Sequence, residues 1–322
     1  MNRIFFANHI ENQFDTLPKG WAFFSLESSE AELYSGYTAN LRNRLRYMQG
    51  KAREGGIMQE LWSQAAFLGW QSYDTALDAL VHFKCHTQEN SSEYQYRILP
   101  YQDYAYLALH SHQYPFLSIQ EHTNDDYIYL GPFRSRFFLA DVLDLYARIL
   151  KLPACETGSY PCTKLEMGSC RGWCMQLEKS SDTSPADSLE KLDSLLKEAF
   201  VHPENGILEL LTKQRETYFN ELEFAKADLL DSEIKILSNY RKWLNFLYVA
   251  KNLDFDSESL SIRQGLLVRC RFQGREYQFP FEVPNYRDNE ALAQNKDRLD
   301  EGWILYNHLL KTKIDTKDED YA

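Results

Sequence analysis

The sequence predicts an α+β (α/β) fold, in which short strands and helices alternate along the chain and form small mixed sheets. Three observations support this. Aromatic, alternating segments exchange with amphipathic helical segments over the first 133 residues. A loop containing four cysteines, glycine and proline comes next, followed by a long helical region and a short pair of strands. Of the 322 residues, 44% are hydrophobic, which is enough to fill two or three buried cores.

The charge of the chain is acidic. Lys and Arg total 35 against 47 Asp and Glu, a formal net charge of -12 at pH 7. This charge opposes non-specific attraction to DNA, so any contact with nucleic acid is expected to use a local basic patch. No apolar run approaches the roughly 18 residues of a membrane helix, and no signal peptide follows Met1. We therefore expect a soluble, cytoplasmic protein with no membrane partner.

The N-terminal region is predicted to run strand, turn, strand and helix. Trp21 to Ser25 is aromatic and extended, residues 27–32 break the strand, and Leu33 to Gly36 leads into a helix. Thr38 is the expected N-cap of that helix. The next predicted elements are a helix that reaches Phe67, a strand over 67–72, a helix over 74–85, and strands over 94–109, 116–119 and 127–130.

The helix after Thr38 is the one clearly basic segment of the sequence. It has no acidic residue from Ala39 to Ala52, which distinguishes it from the acidic chain around it. Charged helix faces are usually only solvated, but clustered guanidinium groups also bind phosphate well. We predict that this segment contacts DNA through Arg42, Arg44, Arg46, Lys51 and Arg53.

Four of the six cysteines lie within 20 residues, at Cys155, Cys162, Cys170 and Cys174. A loop with so few apolar residues needs something to hold it. Four thiolates can ligate zinc or carry an iron–sulfur cluster; a disulfide pair and buried free thiols are the alternatives. We favour a metal centre because disulfides belong mainly to secreted chains, but the spacing does not separate zinc from a cluster. The two remaining cysteines, Cys85 and Cys270, are predicted to be packing residues.

The rest of the chain is mostly helical. A helix with one apolar face between residues 138 and 149 precedes the cysteine loop, and residues 206–252 are predicted to form two antiparallel helices that turn near Glu223. Strands over 260–271 and 275–281 and a helix over 288–310 follow. The predicted domains are 1–133, a mixed sheet with helices; 134–179, a connecting helix and the cysteine loop; 180–205, a linker and short helix; 206–252, the helical hairpin; and 253–322, a β-hairpin, a C-terminal helix and a loose tail.

Several segments, taken in order, resemble the N-terminal half of the excinuclease C (UvrC) family. Gly20-Trp21-Ala22 and Tyr34-Ser35-Gly36 look like a diverged GIY-YIG nuclease signature, and residues 129–133 are similar to the family's Y-F-G-P-Y element. The run from Cys162 to Cys174 matches its C-x7-C-x3-C pattern. The resemblance implies that the four cysteines hold a [4Fe-4S] cluster, with zinc as the alternative.

The chain differs from this family at most of the positions that hold the family's catalytic residues. The YIG tyrosine and a helix arginine are retained as Tyr34 and Arg44. The family's first tyrosine, lysine, metal-binding glutamate and asparagine are replaced by Ala22, Tyr37, Phe83 and Gln95, respectively. Because phenylalanine cannot bind a hard cation, we expect the Mg²⁺ or Mn²⁺ site, and most nuclease turnover, to be lost.

The helical hairpin is similar to the UVR motif, by which this family docks onto its helicase partner, the B subunit (UvrB). The residues expected to contact a UvrB-like helicase are Leu222, Phe224, Leu230 and Ile234. A plain hairpin that packs on its own chain is the alternative.

The resemblance therefore predicts a UvrC-like protein of nucleotide excision repair, a catalytically impaired homologue that acts as a DNA- or partner-binding scaffold. One alternative is an active single-incision, structure-specific endonuclease that uses Tyr34 and Arg44 with an unusual metal ligand. Another is a purely structural interaction protein that does not contact DNA.

Overall fold

The computed structural model describes residues 1–5, 14, 16–90, 92–111, 116–124, 126–152, 162–172, 185–202, 206–283 and 292–319, with the backbone alone at 185–189 and 311–319. Within these residues the chain has the predicted α+β fold, with three four-stranded sheets. It forms two compact units. The first contains Met1–Gln102, Asn252–Glu282 and Asp300–Ala322, and the second contains Asp103–Lys251 and Val283–Leu299. The domain boundaries given above stay predictions.

The first sheet of the first unit is antiparallel, and it contains the three predicted strands and one strand, at residues 2–5, that was not predicted. Its strands are β1 (Asn2–Phe5), β2 (Trp21–Glu27), β3 (Glu32–Thr38) and β4 (Phe67–Tyr73), in the order β1-β4-β2-β3. Successive side chains of a strand point to opposite faces. Phe24 therefore faces the core beneath α1 (Leu41–Glu54) and α2 (Ile57–Gln64), whereas Phe23 faces α3 (Ala76–Glu89).

The N-cap of α1 differs from the prediction. The side-chain oxygen of Asn40 accepts a hydrogen bond from the backbone N–H of Asn43, at 3.1 Å, so Asn40 is the cap. Thr38 is still in β3, and its Oγ1 accepts from the backbone N–H of Asn40 instead. The cap is therefore displaced by two residues because the strand continues through Thr38.

The predicted strand over 94–109 is wrong for its first half. Only Ala105–Leu109 is a strand, and residues 93–97 and 100–103 form turns. Tyr94 is 1% exposed, its backbone N–H donates to the Leu33 carbonyl, and its hydroxyl accepts from Gln64 at 2.8 Å. These tertiary contacts hold the segment against the first core and override the β-like alternation of its aromatic residues.

A second antiparallel sheet in the first unit is built from the C-terminal part of the chain. Its strands are β8 (Phe255–Asp256), β9 (Leu260–Arg263), β10 (Leu266–Phe272) and β11 (Arg275–Gln278), in the order β11-β10-β9-β8. The predicted strand over 260–271 is thus two strands, because Gln264 and Gly265 turn the chain with φ of 47° and 74°. This sheet, α3 and the C-terminal helix share a core that includes Leu80, Cys85, Ile262, Leu267, Cys270 and Leu305.

The C-terminal helix, α9, begins later and ends later than predicted. It spans Leu299–Glu319, and the expected loose tail is helical as far as Glu319. Leu292–Ala293, placed in that helix by the prediction, is instead strand β12 and pairs in parallel with strand β7 (Ile128–Phe133) of the second unit. Residues 284–291 lie outside the described residues.

The second unit has a mixed sheet with helices. Its strands are β12, β7 (Ile128–Phe133), β5 (Ala105–Leu109) and β6 (Leu117–Gln120), in the order β12-β7-β5-β6. Gln294 holds β12 beside β7. Its backbone N–H donates to the Gly131 carbonyl, and its side-chain amide donates to the Leu247 carbonyl at 2.7 Å. The helices are α4 (Arg136–Leu150), α5 (Thr163–Glu166), α6 (Pro185–Leu196, continued by a π-helical turn to Val201), α7 (Ile207–Asn220) and α8 (Phe224–Lys251).

The predicted helical hairpin is present as α7 and α8, which break at residues 221–223. Over the part of the chain that the structure describes, no helix has a stretch long and apolar enough to cross a bilayer. The cytoplasmic location stays a prediction.

We expect Leu305→Ala to lower the free energy of unfolding of the first unit by about 2–5 kcal/mol, because it leaves a cavity in the shared core. Leu310→Ala on the same helix is the matched control. Leu310 is 42% exposed whereas Leu305 is 0% exposed, so the control should lose less than about 1 kcal/mol. Urea unfolding followed by tryptophan fluorescence measures both, and equal losses would contradict this packing of α9.

Candidate functional site

The two retained positions of the predicted nuclease site, Tyr34 and Arg44, lie side by side. Tyr34 is on β3 and 3% exposed, and Arg44 on α1 donates to its hydroxyl over 3.5 Å. The Arg44 guanidinium also lies 5.7 Å from the centre of the Tyr47 ring. Gly36 allows the strand to pass close by, since a Cβ there would lie 3.0 Å from the Phe24 ring. The arrangement places a phenol beside a half-buried cation, a pair suited to holding a phosphate oxygen.

Gln95, which stands where the family has an asparagine, lies next to this pair. Its side-chain oxygen accepts from the backbone N–H and from the hydroxyl of Ser35, both at 3.2 Å. The amide therefore satisfies buried polar groups of β3 immediately beyond Tyr34.

The other three replaced positions lie in apolar surroundings. Ala22 is fully buried in the core under α1. Tyr37 and Phe83 pack on each other with ring centres 5.2 Å apart, and Tyr37 borders the core that α3 shares with the second sheet. Among the described residues, no group of three or more His, Cys, Asp or Glu side chains is placed to hold a metal ion.

A polar cluster between α3 and the first sheet was not predicted. The Glu32 carboxylate accepts from Ser92 and lies 2.6 Å from His86 Nε2. Burial acts to raise the pKa of Glu32, but the hydrogen bonds from His86 and Ser92 outweigh it and leave the pKa below its usual value. Glu32 and His86 are 54 residues apart, so no local motif could have revealed the pair.

His82 and Tyr73 form a second unpredicted pair. The Tyr73 hydroxyl lies 2.7 Å from His82 Nδ1, and the imidazole is packed against Phe23 and Phe272, with ring centres 4.1 and 5.3 Å away. Burial lowers the pKa of His82 to about 4 and raises the pKa of Tyr73 to about 12. At neutral pH both groups are uncharged, so neither supplies a cation for phosphate.

The cations of α1 form two rows rather than one patch. The buried stripe of the helix is Leu41, Leu45, Met48 and Ala52. At about 100° per residue, Arg42, Arg46 and Arg53 project from one flank of that stripe and Arg44 and Lys51 from the other. Lys51 pairs with Glu54 at 2.9 Å.

Two of the four predicted cluster ligands are described. Cys162 and Cys170 are free, partly exposed thiols on either side of α5, and Cys155 and Cys174 lie outside the described residues. The backbone N–H of Gly172 donates to Cys170 Sγ at 3.2 Å. Such N–H···S bonds stabilise a thiolate, so the surroundings of Cys170 fit a metal ligand.

The tip of the helical hairpin exposes apolar side chains. We define the hairpin tip as Phe219, Leu222 and Phe224, which are 47%, 71% and 50% exposed. Leu230 is buried and Ile234 is half-buried, and their predicted part in partner binding stays untested.

Comparison with known proteins gives one family. Residues 104–183 match the model of the UvrC/Cho excinuclease middle domain. The UvrABC system protein C of Salinibacter ruber is 23% identical over 243 residues, covering 70% of this chain and 37% of its own length. The protein of that name from Ruminiclostridium cellulolyticum is 24% identical over 292 residues, covering 85% and 46%. That from a Cyanothece species is 26% identical over 237 residues, covering 70% and 37%.

This chain therefore spans about two fifths of the length of the curated relatives that it matches. No solved structure matches it significantly.

We expect the stability of the first unit to fall between pH 7 and pH 4 because of His82. Its pKa of about 4 in the folded protein lies below the unfolded value of about 6.5, so the unfolded chain takes up the extra proton as the pH falls. His82→Phe should reduce the stability loss between pH 7.5 and pH 5 by about 1 kcal/mol, after allowance for solvent screening of a half-buried ring.

The matched control is the exposed His122→Phe, which should leave the pH dependence unchanged. Urea unfolding at several pH values measures the slopes. Identical slopes for His82→Phe and the unsubstituted protein would contradict the neutral state of His82.

Proposed function

We propose that this chain is a UvrC-family protein that acts in nucleotide excision repair as a DNA- and partner-binding protein with an impaired nuclease site. The match of residues 104–183 to the family model and the similarity to the relatives support the family. The observation that carries the proposal is the packing at the replaced positions. Phe83 and Tyr37 contact each other where the resemblance places the metal-binding glutamate and the lysine.

The surroundings of α3 support the loss of the metal site. A divalent cation needs several oxygen ligands with room for water. The residue after Phe83, Lys84, instead donates to Glu301 at 2.6 Å and to the Leu267 carbonyl at 3.2 Å, and Phe272 stacks on His82. The helix that would present the metal ligand is thus tied to the second sheet and to α9.

DNA contact in this proposal is made by the row Arg42, Arg46 and Arg53. The eleven helical rises from Arg42 to Arg53 extend over about 16 Å, enough to reach two or three consecutive phosphates of one strand. On the same helix Arg44 contacts Tyr34 and Lys51 pairs with Glu54, while Arg42 of the proposed row also donates to the Leu17 carbonyl over 3.5 Å. The acidic net charge makes such binding weak and sensitive to salt.

Replacing Arg42, Arg46 and Arg53 together by Gln should weaken binding to branched or duplex DNA at low salt by about 10- to 100-fold. The slope of log K for DNA binding against log salt concentration is negative, and its magnitude should decrease by about 2 to 3, because each lost phosphate contact removes about one released counterion. Fluorescence anisotropy over a salt series measures both quantities. The matched control replaces Lys235, Arg241 and Lys242 of α8 by Gln, which changes the net charge equally on another exposed helix.

Equal losses in both triple variants would mean that net charge alone drives binding and would contradict the proposed row.

The Tyr34–Arg44 contact favours the second candidate, a single-incision endonuclease. Nicking of the same DNA in Mg²⁺ or Mn²⁺, abolished by Arg44→Ala, would support that candidate and contradict the impaired site.

The proposal includes a [4Fe-4S] cluster, with zinc as the alternative, held by Cys155, Cys162, Cys170 and Cys174. The group would supply a rigid cross-link and, as a cluster, a site for one-electron chemistry. Of this chain's residues, Cys162 and Cys170 would bind it, and the Gly172 N–H would stabilise the Cys170 thiolate.

Protein prepared without oxygen should contain about four iron atoms per chain and absorb broadly in the visible range. Cys170→Ser should lose most of the iron, whereas Cys270→Ser, in a core of the other unit, should retain it. Metal analysis and absorption spectroscopy measure both. One equivalent of zinc without iron would favour the alternative, and no metal in either form would contradict the centre.

The proposed partner surface for a UvrB-like helicase is the hairpin tip. Phe219 and Phe224 contact each other edge to face with ring centres 5.5 Å apart. Together with Leu222 they form an apolar group at the end of two helices. A hydrophobic groove on a partner protein can bury a surface of this kind.

A further inference from the structure

Two cysteines that were predicted to be separate packing residues are in contact. Cys85 on α3 and Cys270 on β10 are 2% and 1% exposed, and their sulfur atoms are 3.7 Å apart. They are 185 residues apart in the sequence. Both thiols are free, so the contact is between two reduced sulfurs.

The contact lies where the C-terminal segment joins the N-terminal segment of the first unit. Beside it, Lys84 bonds to Glu301 and to the Leu267 carbonyl, and the Leu267 N–H donates to Glu301 at 2.7 Å. Further along α3, Gln88 donates to the Gln278 carbonyl. No peptide bond holds these surfaces together nearby, because the second unit occupies the intervening chain.

We propose that Cys85 and Cys270 form a reversible dithiol–disulfide couple that locks the second sheet onto α3 under oxidising conditions. A disulfide needs sulfur atoms about 2 Å apart, so the two side chains must approach by less than 2 Å, which rotation about χ1 and small backbone shifts can supply. The product would be an intramolecular cross-link between the two segments that build the unit.

The chemistry is thiol–disulfide exchange with a small-molecule disulfide such as oxidised glutathione. The Cys270 thiolate attacks one sulfur of the oxidant and forms a mixed disulfide, which releases one thiolate. Cys85 then gives up its proton and attacks the Cys270 sulfur, which releases the second thiolate and forms the Cys85–Cys270 bond. Two protein thiols are oxidised by two electrons, and one glutathione disulfide is reduced to two thiols.

The environment selects Cys270 as the first nucleophile. The hydrogen bond from Cys85 lowers the pKa of Cys270 although burial opposes it, and the charge of Lys84 adds to the lowering. The same hydrogen bond, followed by burial, raises the pKa of Cys85. Burial of both sulfurs means that reaction requires local opening, which also protects the thiols from oxidation to sulfinic acids.

The test uses the full chain, incubated with oxidised glutathione and then alkylated and digested without reductant. We expect a peptide linked through Cys85 and Cys270. We also expect the midpoint of thermal unfolding of the first unit to rise by about 5 °C or more, because the bond closes a very long loop in the unfolded chain. Dithiothreitol should reverse both changes.

Cys85→Ala and Cys270→Ala should each abolish the linked peptide and the thermal shift, while Leu310→Ala, an exposed position of the same unit, should preserve both. Three results would each overturn the proposal. These are no linked peptide from the folded protein, a stable mixed disulfide with glutathione at either cysteine, and a linked peptide with no rise in the unfolding midpoint. Because the unsubstituted protein is compared in its reduced and oxidised forms, the test does not depend on the stability of the variants.

Discussion

The burial of α3 on two sides is the constraint on which the first unit depends. One side of the helix contacts Phe23 and Tyr37 of the first sheet, and the other packs on Ile262 and Leu267 of the second. Lys84 and Leu267, which bond directly, are 183 residues apart. The apolar surface of α3 is removed from water only if both segments are present, so the unit forms from chain that is discontinuous in sequence.

This constraint bears on chemistry as well as on stability. A helix that presents a carboxylate to a hydrated divalent cation must keep that side accessible to water, whereas a helix packed between two sheets must exclude water. Phe83 is half-buried against Tyr37 and offers no oxygen ligand to such a cation. The contact between Tyr34 and Arg44 is on the opposite face of the first sheet, beneath α1, and does not compete with this packing.

The two surfaces used by the proposed function differ in chemistry. The chain is acidic overall, so the cations of α1 act over about one Debye length, roughly 8–10 Å, and not through a long-range field. The apolar hairpin tip belongs to the second unit, and its exposed side chains lie beside Glu221 and Glu223 of the turn. The proposed DNA contact and the proposed partner contact are therefore assigned to different units of the chain.

The sequence by itself determined the α+β class, most helices and strands, the helical hairpin and the resemblance to UvrC, because local periodicity and short motifs suffice for these. It also placed Tyr34 and Arg44 ten residues apart across a strand and a helix, which brings them into contact. Only the tertiary structure decided that Tyr94 packs into a core and that Leu292 belongs to a sheet. It also decided the contacts of Glu32 with His86 and of Cys85 with Cys270. Each of these depends on residues far apart in the chain, whose proximity is set by the burial of whole surfaces and not by any local pattern.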